Sequence, residues 1–342
     1  MHLLSMLFNQ AFLSILFLAF SIWWMLRKPE DKNRPWLVVA LVMNLFYGFF
    51  FTRFMTGEGS LLPWKYDHIL YHLDQSLGIH AASIARPLQG FWRLPLMIAY
   101  QAMVPMMIVW FLVTSRYGNR GSVILSFAAE LAVGPLLYSV VPGCGPIYAF
   151  RTQWLHPPAV PADTIRLSGM PNAFPSLHAA TALVFVLFAP TRLTRACAMV
   201  FLAATCMATL STGEHYVIDL IPGLAFGAFA ASVGLARLRQ AAGFLVIASS
   251  WAFAVRIGNA FLIAHPLLLR SGVALTLMLV AVAVWREWRS KPAVAALETQ
   301  KTEDDPTAAH NSRSAFKVGT ARSARLNVSI AGTETMLQRN LR

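Results

Sequence analysis

The chain has 342 residues, 57% of them hydrophobic and only 13% charged, with a formal net charge of +13. A soluble domain cannot hide that much apolar surface, whereas a bilayer solvates it, so the composition predicts an all-α, multi-pass membrane bundle. The basic residues lack interleaved aromatics and lie mostly in short loops, which suits anionic lipid headgroups and excludes a nucleic-acid partner.

In chain order, apolar runs near the ~20 residues a span requires recur at 3–26, 36–55, 94–114, 122–142, 177–190, 196–213, 216–235, 244–263 and 267–285. This predicts about nine transmembrane helices, the fifth of them short. No Lys or Arg precedes the first run and no small-residue cleavage site follows it, so it reads as a retained span. Arg27, Lys28, Lys32 and Arg34 follow the first run, Arg116 and Arg120 the third, Arg192 and Arg195 the fifth, Arg237 and Arg239 the seventh. Every second loop is thus short and basic, which predicts that these loops and the C-terminus are cytoplasmic. Residues 56–93, which include Tyr66-Asp67-His68-Ile69-Leu70-Tyr71-His72-Leu73-Asp74, read as a helix lying at the outer interface. Residues 143–176 read as an outer loop rich in Gly and Pro, and the polar segment beyond Lys291 as a disordered cytoplasmic tail. By this reading residues 1–59 carry two spans, 60–240 the catalytic membrane domain, 241–289 the additional spans and 290–342 the tail. Cys144, Cys197 and Cys206 form no paired framework, so neither a disulfide nor a structural zinc is expected.

Three stretches carry chemistry: Pro142-Gly143-Cys144-Gly145-Pro146-Ile147-Tyr148, Pro171 to Ala180, and Gly213 to Gly223. Pro175 suits the first turn of a helix, which puts Ser176 and His178 at a helix N-terminus, where free N–H groups and the helix dipole attract an anion. His178 and His215 are 37 residues apart, one helix down and one back, so both land at the same face. His215 and Asp219 stand four apart on one helix face, where the carboxylate can fix the tautomer of the imidazole. Metal-free phosphoryl transfer asks for this set: one imidazole attacks phosphorus, a second protonates the leaving oxygen, and cations with helix N–H groups hold the other oxygens.

At these residues the chain resembles the type 2 phosphatidic acid phosphatase superfamily. Pro175, Ser176 and His178 match its P-S-x-H motif, and His215 with Asp219 its H-x-x-x-D motif. It is further similar to the branch containing fungal inositol phosphorylceramide synthase, at Asp67, Asp74, Leu77 and Gly78 and at Pro142, Gly145, Pro146 and Tyr148. The resemblance covers about residues 60 to 235. It implies a six-helix core, with His215 as the nucleophile forming a phosphohistidine, Asp219 as its orienter and His178 as general acid, without cofactor or metal. It also implies a membrane phospholipid or lipid phosphate as substrate and an alcohol or polyol as possible acceptor; the alternation of basic loops predicts that the site is on the outer (periplasmic or luminal) face. Two features depart from the family. The first motif, K-x6-R-P, is not found, and Ala208 and Thr209 stand where Ser-Arg usually precedes the histidine. Ser176 and the outer-loop residues Arg151 and Arg166 are the candidates left to bind phosphate.

Other readings stand beside these. The histidines could be interfacial residues, Ser176 only a helix cap, and Pro142, Gly145 and Pro146 only a turn. Asp67 and Asp74 are expected on the wet face of the interfacial helix. Glu130 and Arg256, charges within spans, could be functional or a structural pair. A simple lipid phosphate phosphatase, a lipid transporter, and a zinc hydrolase using His178, His215 and Asp219 are the rival functions.

Overall fold

The computed structural model describes residues 61–290, apart from Arg116 and residues 118–119, together with Val38. The runs at 3–26 and 36–55 and the tail beyond Lys291 lie outside the described residues. Eleven helices follow a short strand β1 (Trp64–Lys65): α1 (Asp67–Leu77), α2 (Ala81–Leu88), α3 (Arg93–Gln101), α4 (Met103–Ser115), α5 (Arg120–Val140), α6 (Pro146–Phe150), α7 (Leu177–Phe188), α8 (Arg192–Ser211), α9 (Val217–Gly234), α10 (Leu238–Ala264) and α11 (Pro266–Ser290). Between α6 and α7, strand β2 (Ile165–Arg166) pairs antiparallel with β1, Trp64 facing Arg166.

Among the described residues, five helices are long and apolar enough to cross a membrane: α5 from Gly121, α8, α9, α10 and α11. The predicted run 94–114 is α3 and α4 joined at a break with a bend of 57°, and the pair counts as a sixth crossing if taken as one span. The predicted run 177–190 is α7, only 12 residues long and almost wholly buried. Such a helix rises roughly 18 Å at 1.5 Å per residue, short of a ~30 Å hydrocarbon core. Helix α8 begins at Arg192 rather than at the predicted 196, because Thr191 and Thr194 form a reciprocal capping box.

Helix α9 is the axis of the bundle, packing against α1, α5, α7, α10 and α11. A Cβ at Gly223 would strike the backbone of Ser176, one at Gly227 that of Ala180, and one at Gly234 that of Ser122. Glycine four residues apart on one face lets two backbones approach without intervening side chains, the usual way apolar helices pack where lipid removes the hydrophobic drive. That seam sets the N-termini of α7 and α9 side by side.

The segment 56–93, expected as one interfacial helix, is over its described part a strand followed by two helices. Helix α1 stops at Gly78, whose φ of 82° is the left-handed conformation of a helix end. Asp67 and Asp74, expected on a wet face, are both fully buried. The correction has a physical cause. A helix whose polar face meets another segment's unpaired N–H groups is as polar in sequence as one facing water.

Candidate active site

Helix α7 starts with Ser176 as its cap, the Ser176 hydroxyl accepting from the Ala179 amide at 3.4 Å. Pro175 therefore precedes the cap rather than occupying the first turn. The Ser176 N–H donates to the Asp219 carbonyl at 3.0 Å, so Ser176 is fully buried and engaged on both sides. Helix α9 starts after Tyr216, whose N–H donates to the Asp219 carboxylate at 2.7 Å. These two starts bring His178 and His215 together, ring centroids 5.7 Å apart and 72° between planes.

His215 is 3% exposed. Its Nδ1 lies 2.8 Å from the carbonyl oxygen of Ala173. A carbonyl can only accept, so Nδ1 carries the hydrogen and Nε2 presents a lone pair. Asp219 lies beside the same nitrogen at 3.5 Å, beyond hydrogen-bond reach, its nearer oxygen already taken by the Tyr216 N–H. The orienting partner is thus a main-chain carbonyl, with the Asp219 carboxyl group beside the imidazole. Burial pulls the His215 pKa down to about 4, a little offset by the bond to Ala173. The imidazole is neutral at neutral pH, as a nucleophile must be. His178 lies half-buried with its ring stacked on Tyr100 of α3, centroids 4.5 Å apart and 25° between planes.

The loop before α6 supports the pair from behind. Gly145 has φ 99°, and a Cβ there would collide with the Glu214 backbone. Ile147 N–H donates to the Gly213 carbonyl at 2.9 Å, and the Tyr148 hydroxyl donates to Glu214 Oε1 at 3.3 Å. The buried aspartates of α1 complete this support. Asp67 accepts from the amides of Cys144 (3.1 Å) and Gly145 (2.8 Å) and from the Tyr216 hydroxyl (3.2 Å). Asp74 accepts from Val217 (2.9 Å) and Ile218 (2.8 Å), the first two amides of α9. Burial pushes Asp67 up to about 6 and raises Asp74 well above the ordinary carboxylate range, with the N–H donors pulling both back down. Hydropathy does not separate such a clamp from a wet face; the sequence signal that marks these two residues is the spacing of Asp67, Asp74, Leu77 and Gly78 shared with the resembled branch.

Arg151 and Arg166 lie on the 143–176 loop, exposed, Arg151 with a positive φ of 49° and Arg166 in β2. Neither shares a hydrogen bond or ion pair with the histidines. Glu130 and Arg256 do not pair with each other. Glu130 accepts from the Thr181 hydroxyl at 2.8 Å, and Arg256 donates to the Val140 carbonyl at 3.0 Å and sits 5.3 Å from the Tyr66 ring centroid. Among the described residues, no group of three His, Cys, Asp or Glu side chains is placed to hold a metal ion.

No curated protein matches the chain, and no solved structure does. Residues 68–233, from within α1 to the last turn of α9 and so through every element that shapes the histidine pair, match the model of the PAP2 superfamily.

Proposed function

We propose that the chain is a membrane-bound PAP2-type lipid phosphatase or phosphotransferase that works through a phosphohistidine on His215. The observation that carries this reading is a neutral, buried imidazole whose Nδ1–H is pinned by a carbonyl, facing a second imidazole across the N-termini of two packed helices. In the first half-reaction Nε2 of His215 attacks phosphorus while His178 gives a proton to the departing oxygen. Burial and the neighbouring His215 push the His178 pKa down to about 3, so the anionic phosphate must raise it before His178 can act as the acid. The imidazole becomes cationic as the P–N bond forms, and the Asp219 carboxylate 3.5 Å from Nδ1 stabilises that charge. In the second half-reaction His178 takes a proton from the incoming water or alcohol, and the P–N bond breaks. Ser176, Arg151 and Arg166 are the phosphate-binding candidates of this reading, the two arginines as loop cations and Ser176 through its place at the start of α7.

The substrate is a membrane phospholipid or lipid phosphate. The site lies at the end of the bundle opposite Arg192, Arg195, Arg237 and Arg239, because α8 starts with the basic residues and α9 starts with the site. By the positive-inside rule this reading puts the histidines on the outer, periplasmic or luminal face and the C-terminus in the cytoplasm. Transfer of the headgroup to an alcohol or polyol acceptor is favoured over hydrolysis by the 143–176 loop. That loop packs against His215 through Ala173 O and against its neighbour Glu214 through Gly145, and a transferase must hold an alcohol while keeping water back. Resemblance to the inositol phosphorylceramide synthase branch points the same way.

The test is a product assay on labelled lipid phosphates and phospholipids with purified protein, with and without inositol, other polyols, ceramide and diacylglycerol. Headgroup-bearing product should form with an acceptor and slow hydrolysis without one, vanadate should inhibit and a chelator should have little effect. Free phosphate at one rate under every acceptor would leave a plain phosphatase. No turnover of any phosphate ester would reject the enzyme reading.

A further inference from the structure

Helices α10 and α11 lie beyond the family match, yet they bear on the aspartate-carrying helix α1 at both its ends. At the start, Arg256 of α10 donates to Val140 O and lies over the ring of Tyr66, the residue that caps α1. Tyr66 N–H in turn donates to Pro142 O at 2.8 Å, at the head of the loop that Asp67 holds. At the finish, Arg270 of α11 donates to Ser76 O at 3.2 Å, and the Ser76 hydroxyl reaches Ile263 O of α10 at 3.4 Å. Arg256 and Arg270 are exposed on apolar helices, where a cation is costly unless it is used. Between these two fixed ends lie Asp67 and Asp74, seven residues apart on one face. Asp67 fixes the Cys144–Gly145 amides and Tyr216, and Asp74 fixes the first amides of α9. The first turn of α9 is therefore filled by resident carboxylates, and its position is set from α1.

We propose that Arg256 and Arg270 are positioning residues of the active site. The α10–α11 hairpin braces α1 through them, and α1 through Asp67 and Asp74 holds His215 at its working separation from His178. This rests on the phosphohistidine reading for its kinetic consequence only, because the brace itself can be read without turnover. A misplacement near 1 Å, made far from the chemistry, can cost on the order of 10²-fold.

The experiment uses full-length protein with Cys197→Ser and Cys206→Ser, leaving Cys144 as the only thiol, which is buried beside the Asp67 clamp. Arg256→Ala, Arg270→Ala, Asp74→Asn and the double variant Arg270→Ala/Asp74→Asn are compared with their parent. Each arginine variant should lower kcat about tenfold with KM little changed. Each should also speed alkylation of Cys144, whereas Arg256→Lys and Arg270→Lys should recover most of both. In the double variant the two losses should fall well short of multiplying, since both act through one helix. Parental kcat and parental Cys144 labelling in both arginine variants would overturn the proposal, as would losses that multiply in full. If Asp74→Asn does not fold, Tyr216→Phe takes its place in the cycle with Arg256→Ala, under the same criteria. If the parent turns over no phosphate ester, the functional reading fails, and Cys144 labelling alone decides the brace.

Discussion

The two ends of the bundle use carboxylates and arginines in opposite ways. At the end away from the histidines, Glu287 of α11 is buried and ion-paired with Arg237, just before α10. There too Arg195 lies 5.6 Å from the Trp288 ring centroid and donates to Ala189 O, while Trp288 Nε1 donates to Val186 O at 3.1 Å. Charge meets charge, and the helix ends are tied. At the histidine end, Asp67 and Asp74 take backbone amides and a phenol, Asp219 takes an amide, and Arg256 and Arg270 give to carbonyls. A carboxylate satisfied by amides does not neutralise a cation. The difference teaches that the aspartates at the histidine end are satisfied by neutral donors, while Glu287 at the other end is satisfied by an ion pair with Arg237.

The sharpest way to break this contrast is to remove the imidazoles. His215→Ala should abolish turnover, and His178→Ala should cost about 10²–10⁴-fold, the usual worth of a general acid; folded His215→Ala protein with near-parental kcat would end the mechanism. Next in size comes the far end. Arg237→Ala removes the ion-pair partner of the buried Glu287 carboxylate, and because Arg237 is half-exposed the loss should be about 1 kcal/mol, below the cost of a fully buried pair. It should show as a lower unfolding temperature with kcat intact below the transition, and a kcat loss matching that of His178→Ala would erase the contrast. A smaller effect is expected from the Tyr100 ring. Tyr100→Leu should lower kcat about tenfold by freeing the His178 imidazole, with Tyr100→Phe within about threefold of the parent; equal losses in both would refute the stacking role.

The smallest effect is that of pH. His215 must be unprotonated to attack, and burial holds its pKa to about 4, so kcat/KM should keep its acid limb near 4 instead of near the ordinary imidazole value. The sign for stability follows. The unfolded histidine binds its proton below about 6.5 and the folded one only below about 4, so its share of stability is lost as pH falls through that window. An acid limb near 6.5 in the parent protein would assign the titration to another group.

Much of the site could be read in the chain, and what could not has physical causes. The return of His178 and His215 to one face follows from a helix down and a helix back, and the i, i+4 spacing of Asp219 from helix geometry. The pairing of Nδ1 with Ala173 could not be read, because any residue supplies a carbonyl. Asp67 and Asp74 are polar in sequence whether they face water or another segment's amides, and only tertiary contact separates the two. The break between α3 and α4 carried no Gly, and Pro95 and Pro105 flank it without marking Ala102 as the bend. Glu130 and Arg256 looked like possible mates because each is a charge in an apolar run. Their partners, Thr181 and Val140 O, come from different helices.

The shortness of α7 has a consequence for how the protein sits among different lipids. Its ten residues from Ala179 to Phe188 are all buried, and the backbone seam with α9 fixes it lengthwise. It presents almost nothing to acyl chains, so hydrophobic mismatch falls on α8, α10 and α11, whose outer faces are broadly exposed. Reconstituted into thin or thick bilayers, the protein should tilt those helices and leave the imidazole spacing alone. Turnover of a water-soluble phosphate ester should then vary by less than about twofold with acyl length, since mismatch costs only fractions of a kcal/mol per ångström and would be spent away from the reacting groups.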